Sequence, residues 1–194
     1  MFLDQPESGE GAQRMFDDDE KYMGWVMNVS RLWAWQPESQ RALFDLLDSV
    51  SDGFSMRQRA LLVAACASTF GDSYCSMAWG GKLAKESDTE TAVEVLTGSD
   101  NGLTTAEQVM TRWARAVAGD PNATTQADVD ELRSAGFSDA DIFAMTAFVG
   151  LRIAFSTVND ALGAQPDAEL RGFSPPEVIA AVDFGRPIAN DDTP

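Results

Sequence analysis

The chain reads as an all-α fold of roughly seven or eight helices. Three observations predict it. Apolar residues recur at helical spacing in segment after segment, and no period-two alternation survives a count against the helical template. Good N-cap residues (Ser55, Thr104, Thr125, Ser138) stand just ahead of the apolar stripes. Glycine or proline punctuates their ends, at Pro37, Gly53, Gly71, Gly119, Gly136 and Gly163.

Taken in order, residues 1–14 read as a flexible acidic tail, with Pro6, Gly9 and Gly11 among acids and little to bury. The run Asp17-Asp18-Asp19-Glu20 reads as a solvated face, not a metal site. Tyr22 to Trp35 is aromatic-rich and helical in spacing, with Met23, Val26, Met27, Val29, Leu32 and Trp33 on a broad stripe. Pro37 opens the next helix, whose expected inward face is Leu43, Leu46, Leu47 and Val50. Ser55 caps a helix in which Leu61 to Ala67 is almost unbroken apolar sequence, the mark of a central helix. Cys66 within it reads as a small buried hydrophobe. Gly71 ends that helix, and Asp72 or Ser73 caps the next, which carries Cys75 in its first turn.

A polar connection with a short amphipathic piece, Thr91 to Leu96, leads to a capping box, with Thr104 at N-cap and Glu107 at N3. The helix it opens carries Val109, Met110, Trp113 and Val117 inward. Thr125 caps a short helix, and Ser138 caps the last long one, with Asp139 and Asp141 placed to favour the dipole. Residues 168–194 read as a C-terminal extension, mostly irregular, with one weak helix near Pro176 to Val182. The main domain is expected over 15–167.

Composition excludes several classes. The formal net charge of -17 repels phosphate backbones and anionic lipid, so neither a nucleic-acid nor a membrane partner is expected. No apolar run is read as the roughly 18 residues of a membrane span. There is no histidine, which removes the usual base near neutral pH, the usual zinc ligand and any Cys/His dyad. No metal and no cofactor is expected. Two cysteines make no disulfide scaffold, and the start lacks a basic-then-apolar leader, so the expected location is the cytoplasm.

Five segments in order carry a resemblance: GWVMNVSRLWAWQPESQRA, SMRQRALLVAACAS, GDSYCSMAWGGKL, WARAVAGDPNATTQADVDELRSAGFSDADI and VNDALGAQPDAEL. The chain resembles the carboxymuconolactone decarboxylase and alkylhydroperoxidase (AhpD-like) superfamily, in particular its peroxidase-related group. The resemblance implies an AhpD-like helical domain that oligomerises through the cysteine-bearing helices, as a trimer or hexamer, or as a dimer. It implies a hydroperoxide-reducing, antioxidant oxidoreductase working through Cys-x-x-Cys, with a His four residues after the second cysteine and a Glu on the preceding helix. In this chain the second cysteine is Cys75. The first cysteine's position holds Asp72, the His position Trp79 and the Glu position Ala60. The family's F-N-x-x-N-R stands as Arg152 to Thr157.

Cys75 is thus the candidate thiol, and Ala60, Asp72 and Trp79 are degenerate relay positions. A helix N-terminus lowers a thiol pKa by about one unit at best, while Asp72 and a covering Trp79 act against the thiolate. The expected state is therefore a protonated thiol. Cys66, nine residues back, is a poor resolving partner, so turnover would need an external thiol reductant. Tyr74, Trp79 and Arg152 are the candidate pocket residues, with Arg152 expected to need an acid such as Asp72 or an anionic ligand. Arg57, Arg59, Arg112 and Arg115 read as exposed faces or subunit salt bridges. Three functions remain open: a single-thiol peroxidase, a non-redox or rewired small-molecule protein, and a helical assembly without a site.

Overall fold

A computed structural model describes residues 1–7 and 9–190; residue 8 of the expected tail and the last four residues of the expected extension lie outside the described residues. Among the described residues the chain folds into eleven α-helices and no strand. They are α1 (Glu10–Tyr22), α2 (Asn28–Trp33), α3 (Pro37–Ser51), α4 (Met56–Phe70), α5 (Ser73–Glu86), α6 (Thr89–Leu96), α7 (Thr105–Gly119), α8 (Gln126–Ser134), α9 (Asp139–Ala161), α10 (Leu170–Phe173) and α11 (Pro176–Ala181). The all-α expectation is met. The count exceeds the expected seven or eight because short helices flank the long ones.

Helix α4 is the hub. Leu61, Leu62, Val63, Ala64 and Ala65 are all buried, and α5, α6, α7 and α9 pack around it. Its start is fixed by a capping box of Ser55 and Gln58, and its end by Gly71 at φ +87°, a backbone state that costs glycine little. The boxes predicted at Thr104/Glu107 and at Ser138 are formed, the latter with Asp141 as its N3 partner.

Four expectations are corrected. No single helix runs from Tyr22 to Trp35; Gly24 at φ +89° breaks it, and α2 starts only at Asn28. Helix α1 begins at Glu10, inside the stretch expected to be a tail, because Ala12 and Phe16 pack with Ala34. Leu46 faces out, 48% exposed, while Phe44 turns inward onto Phe155. Of the four arginines read as exposed or intersubunit, Arg112 is exposed as expected and pairs with Glu131, while Arg57, Arg59 and Arg115 are half-buried and pair within the chain with Glu107, Asp48 and Asp100.

Helix α9 is long and apolar enough to cross a membrane by length and composition alone, contrary to the sequence reading; it packs on α3, α4, α7 and α8. That packing brings one end of α9 over the N-terminus of α5. The C-terminal segment is tied into the same core: Leu170 and Val178 are fully buried, and Ser174 Oγ donates to the Met77 carbonyl at 2.9 Å.

Candidate functional site

The site grows from the N-terminus of α5. Asp72 is its N-cap, and Asp72 Oδ1 accepts the Cys75 backbone N–H at 2.9 Å. That bond fixes Cys75 in the first turn, with its side chain turned toward α9. On α9, Arg152 and Ser156 are one turn apart and meet the thiol together. Arg152 Nη2 donates to Cys75 Sγ at 3.2 Å, and Ser156 Oγ lies 3.9 Å from the same sulfur. Ser156 Oγ also donates to Asp72 Oδ2 at 2.5 Å. Asp72 is wholly buried and engaged by these two donors. It makes no ion pair with Arg152, so the expected Asp72–Arg152 pairing is corrected: the guanidinium bonds to sulfur instead.

Cys75 and Arg152 lie in the wall of a cavity of about 800 Å³. Its lining includes Tyr74, Trp79 and Lys82 from α5, Phe155 from α9, Phe44 from α3 and Met27. The rings are held by one another. Phe155 stacks on Trp33 at 5.7 Å and meets Phe44 edge-on at 5.3 Å. The Arg152 guanidinium sits 5.2 Å from the Trp79 ring centre and 5.3 Å from that of Phe155. Lys82 Nζ lies 4.2 Å from the Trp79 ring centre. A weakly hydrated guanidinium is suited to such aromatic surroundings.

All four pocket and thiol candidates named from sequence (Tyr74, Cys75, Trp79, Arg152) therefore meet in one cavity. Asp72 lies behind the thiol, and Ala60, buried in α4, does not line the cavity. Sequence reasoning missed Lys82, Ser156 and Phe155. Lys82 had a legible signal, since 75, 79 and 82 share one helical face. Ser156 stands one turn from Arg152, but nothing local points either residue at α5.

Burial pushes the Cys75 thiol well above its usual range, and the Asp72 carboxylate adds to this against the opposing Arg152. With the thiol neutral, one guanidinium and one carboxylate already balance the floor of the site; a thiolate would add an unmatched charge. Cys66 is free, buried and pushed up to about 12, chiefly by burial. Lys82 is pulled down by burial and by Arg152.

The rim is held by buried acids. The Tyr74 hydroxyl donates to Asp167, which also accepts the Asn28 N–H at 2.7 Å. Asp19 Oδ2 accepts the Met27 N–H at 3.0 Å. Burial raises Asp19 and Asp167, and raises Asp160 to about 7, with Asp72 adding and Arg186 opposing. Acids raised in the folded state bind protons that the unfolded chain has released, so their contribution is present below about pH 4 and is lost as pH rises, for Asp160 through about 7. Capping acids such as Asp128 and Asp141 are lowered by hydrogen bonds to Thr125 and Ser138, and lose their contribution only in stronger acid. The melting temperature is thus expected to peak near pH 5 and to fall toward pH 8. Thermal denaturation followed by circular dichroism checks this, and Asp160→Asn should flatten the neutral limb.

No protein-family model matches the chain, and no curated protein matches it. Solved structures do. An uncharacterized peroxidase-related protein from Ralstonia eutropha JMP134, described as an alkylhydroperoxidase AhpD core, is 24% identical over 87% of this chain and 93% of its own, with a TM-score of 0.77. A peroxidase-related protein from Silicibacter sp. TM1040 is 24% identical over 88% and 94%, also at 0.77. The debrominase Bmp8 is 14% identical over 93% and 96%, at 0.72, and is also known as a cysteine-to-alanine variant in complex with 2,3,4-tribromopyrrole. The chain has the AhpD-like fold of the peroxidase-related proteins.

Proposed function

We propose that the chain takes up a small organic molecule in the cavity and presents the Cys75 thiol to it. The observation that carries this reading is the cavity wall: about 800 Å³ lined largely by aromatic and aliphatic groups, with the thiol and a guanidinium in contact at one end. Hydrogen peroxide needs no such volume. The fold of a debrominase seen with a tribromopyrrole supports an organic occupant of this size. The surviving thiol supports thiol chemistry, and the protonated state favoured at Cys75 makes that chemistry depend on what the occupant does to the thiol.

Fragment screening by ligand-observed NMR tests the reading. Small aromatic binders are expected to slow alkylation of Cys75 by iodoacetamide several-fold, as read by intact mass. An absence of binders, or binders that leave the alkylation rate unchanged, overturns it.

Hydroperoxide reduction is the second reading, supported by the Arg152 Nη2 contact to Sγ, which favours a thiolate over a thiol. In that reaction the thiolate sulfur attacks the peroxide oxygen, the O–O bond breaks, the alkoxide leaves with a proton from solvent, and a sulfenic acid remains. Two external thiols then return it to the thiol, with release of water and a disulfide. Cys75→Ser should abolish any dithiothreitol-coupled hydroperoxide consumption; equal rates in both proteins end this reading. Assembly as a homo-oligomer is supported by the outward face of α9, where Phe143 is 73% exposed beside Gly150 and Ala154.

A further inference from the structure

We propose that the occupant of the cavity is an organic anion, a planar molecule whose carboxylate or equivalent acidic group is held by Arg152 and Lys82 beside Trp79. This deepens the small-molecule reading above and rests on it. Arg152 is only 5% exposed, yet among the described residues it reaches no carboxylate within ion-pair distance. Its side-chain contacts are a thiol and two aromatic rings, and its Nε is buried without a hydrogen-bond partner. A buried guanidinium is costly unless an anion meets it. Asp72, the buried acid that caps the helix start at Cys75, is occupied by the Cys75 N–H and the Ser156 hydroxyl.

Lys82 repeats the pattern. It lies on the same face of α5 as Cys75 and Trp79, is half-buried in the cavity wall, and forms no ion pair among the described residues; the Trp79 ring lies close to its ammonium. Arg152 and Lys82 thus share a stretch of cavity wall with no ion pair to an acid among the described residues, in a chain of net charge -17 where acids are abundant. The acids that do line the cavity are committed or at its rim. Glu38 is engaged by Arg14 and Arg41, Asp19 accepts the Met27 N–H, and Asp18 and Asp45 are exposed. A carboxylate between the two cations satisfies both and offers Arg152 an acceptor, while Phe155 and Phe44 give the attached ring an apolar surface.

Isothermal titration calorimetry with 2-naphthoate and its neutral analogue 2-naphthamide tests this on the full chain. Naphthoate is expected to bind roughly tenfold or more tightly than naphthamide, the scale of a charge-assisted contact. Lys82→Met and Arg152→Met should each cut that preference to about threefold or less, and Arg152→Lys should keep part of it. Lys82 is less deeply buried than Arg152, so its variant stands as the deciding test if circular dichroism finds Arg152→Met unfolded. Equal affinities in the wild type overturn the anion seat while leaving a small-molecule cavity in place. Binding of neither probe below about 1 mM also overturns it; the broader reading falls only if neutral fragments also fail to protect Cys75.

Discussion

Replacing Asp72 by asparagine should make Cys75 more reactive, with alkylation by iodoacetamide about tenfold faster between pH 7 and 9. Asparagine keeps an oxygen for the Cys75 N–H, so the cap of α5 is retained. The negative charge is lost, and after burial that charge is the main influence holding the thiol protonated. Arg152, already 3.2 Å from the sulfur, then faces the thiolate without a competing carboxylate. Two unit charges about 4–5 Å apart interact by roughly 3–4 kcal/mol at an effective dielectric constant of about 20. A tenfold change, about 1.4 kcal/mol, is well inside that, and burial still opposes ionisation. Intact-mass kinetics across pH read the effect. An unchanged or slower rate would mean that burial alone governs the thiol. Asp72→Ala is a different experiment: it strands the Cys75 N–H and the Ser156 hydroxyl, and should cost about 1–3 kcal/mol of stability.

Gly81→Ala should be among the most damaging single changes in the chain. An added Cβ would lie 2.2 Å from Ser174 Oγ, 3.0 Å from its Cβ and 3.2 Å from its Cα. The hydroxyl cannot simply swing away at no cost, because it donates to the Met77 carbonyl, and the third contact is backbone. The segment bearing α10 and α11 must lift from α5, at about 3 kcal/mol or more. For a chain of this size that is a fall in melting temperature of roughly 6–12 °C. The same segment carries Phe173, a cavity-lining residue, so fragment binding should weaken together with stability. Gly150→Ala in α9, read on monomeric protein so that the proposed assembly face plays no part, is the control: nothing in the chain lies within 4 Å of the added methyl, and helix propensity alone predicts a gain of up to about 1 kcal/mol. A loss at Gly150 as large as that at Gly81 would show that crowding is not the cause.

The helical fold was legible because its signals are local. Ser55, Thr104 and Ser138 cap backbone groups within three residues of themselves, and those bonds formed as the spacing required. The unbroken apolar run of α4 fixed its central place, since such a helix has no face to offer water. The reading failed where a single backbone state overrode periodicity. The apolar stripe from Met23 to Trp33 is real, but Gly24 at φ +89° ends α1 and spends part of that stripe on a turn. It failed again at Leu46 and Phe44, two residues apart in sequence, because which one turns inward depends on the angle at which α3 meets α9.

The site divides the same way. Sequence alone placed Cys75 in the first turn of α5, put Asp72 three residues before it and Trp79 one turn after it, and removed histidine from the chemistry, because each of these is a matter of residue identity and helical spacing. Only the tertiary structure decided what the thiol meets. Arg152 and Ser156 stand 77 and 81 residues away from Cys75, and their arrival depends on how α9 crosses the end of α5. That crossing is set by packing summed over many side chains, so no short stretch encodes it. It also decides that the guanidinium bonds to sulfur and not to Asp72, and that two cations line a cavity wall without an acid between them.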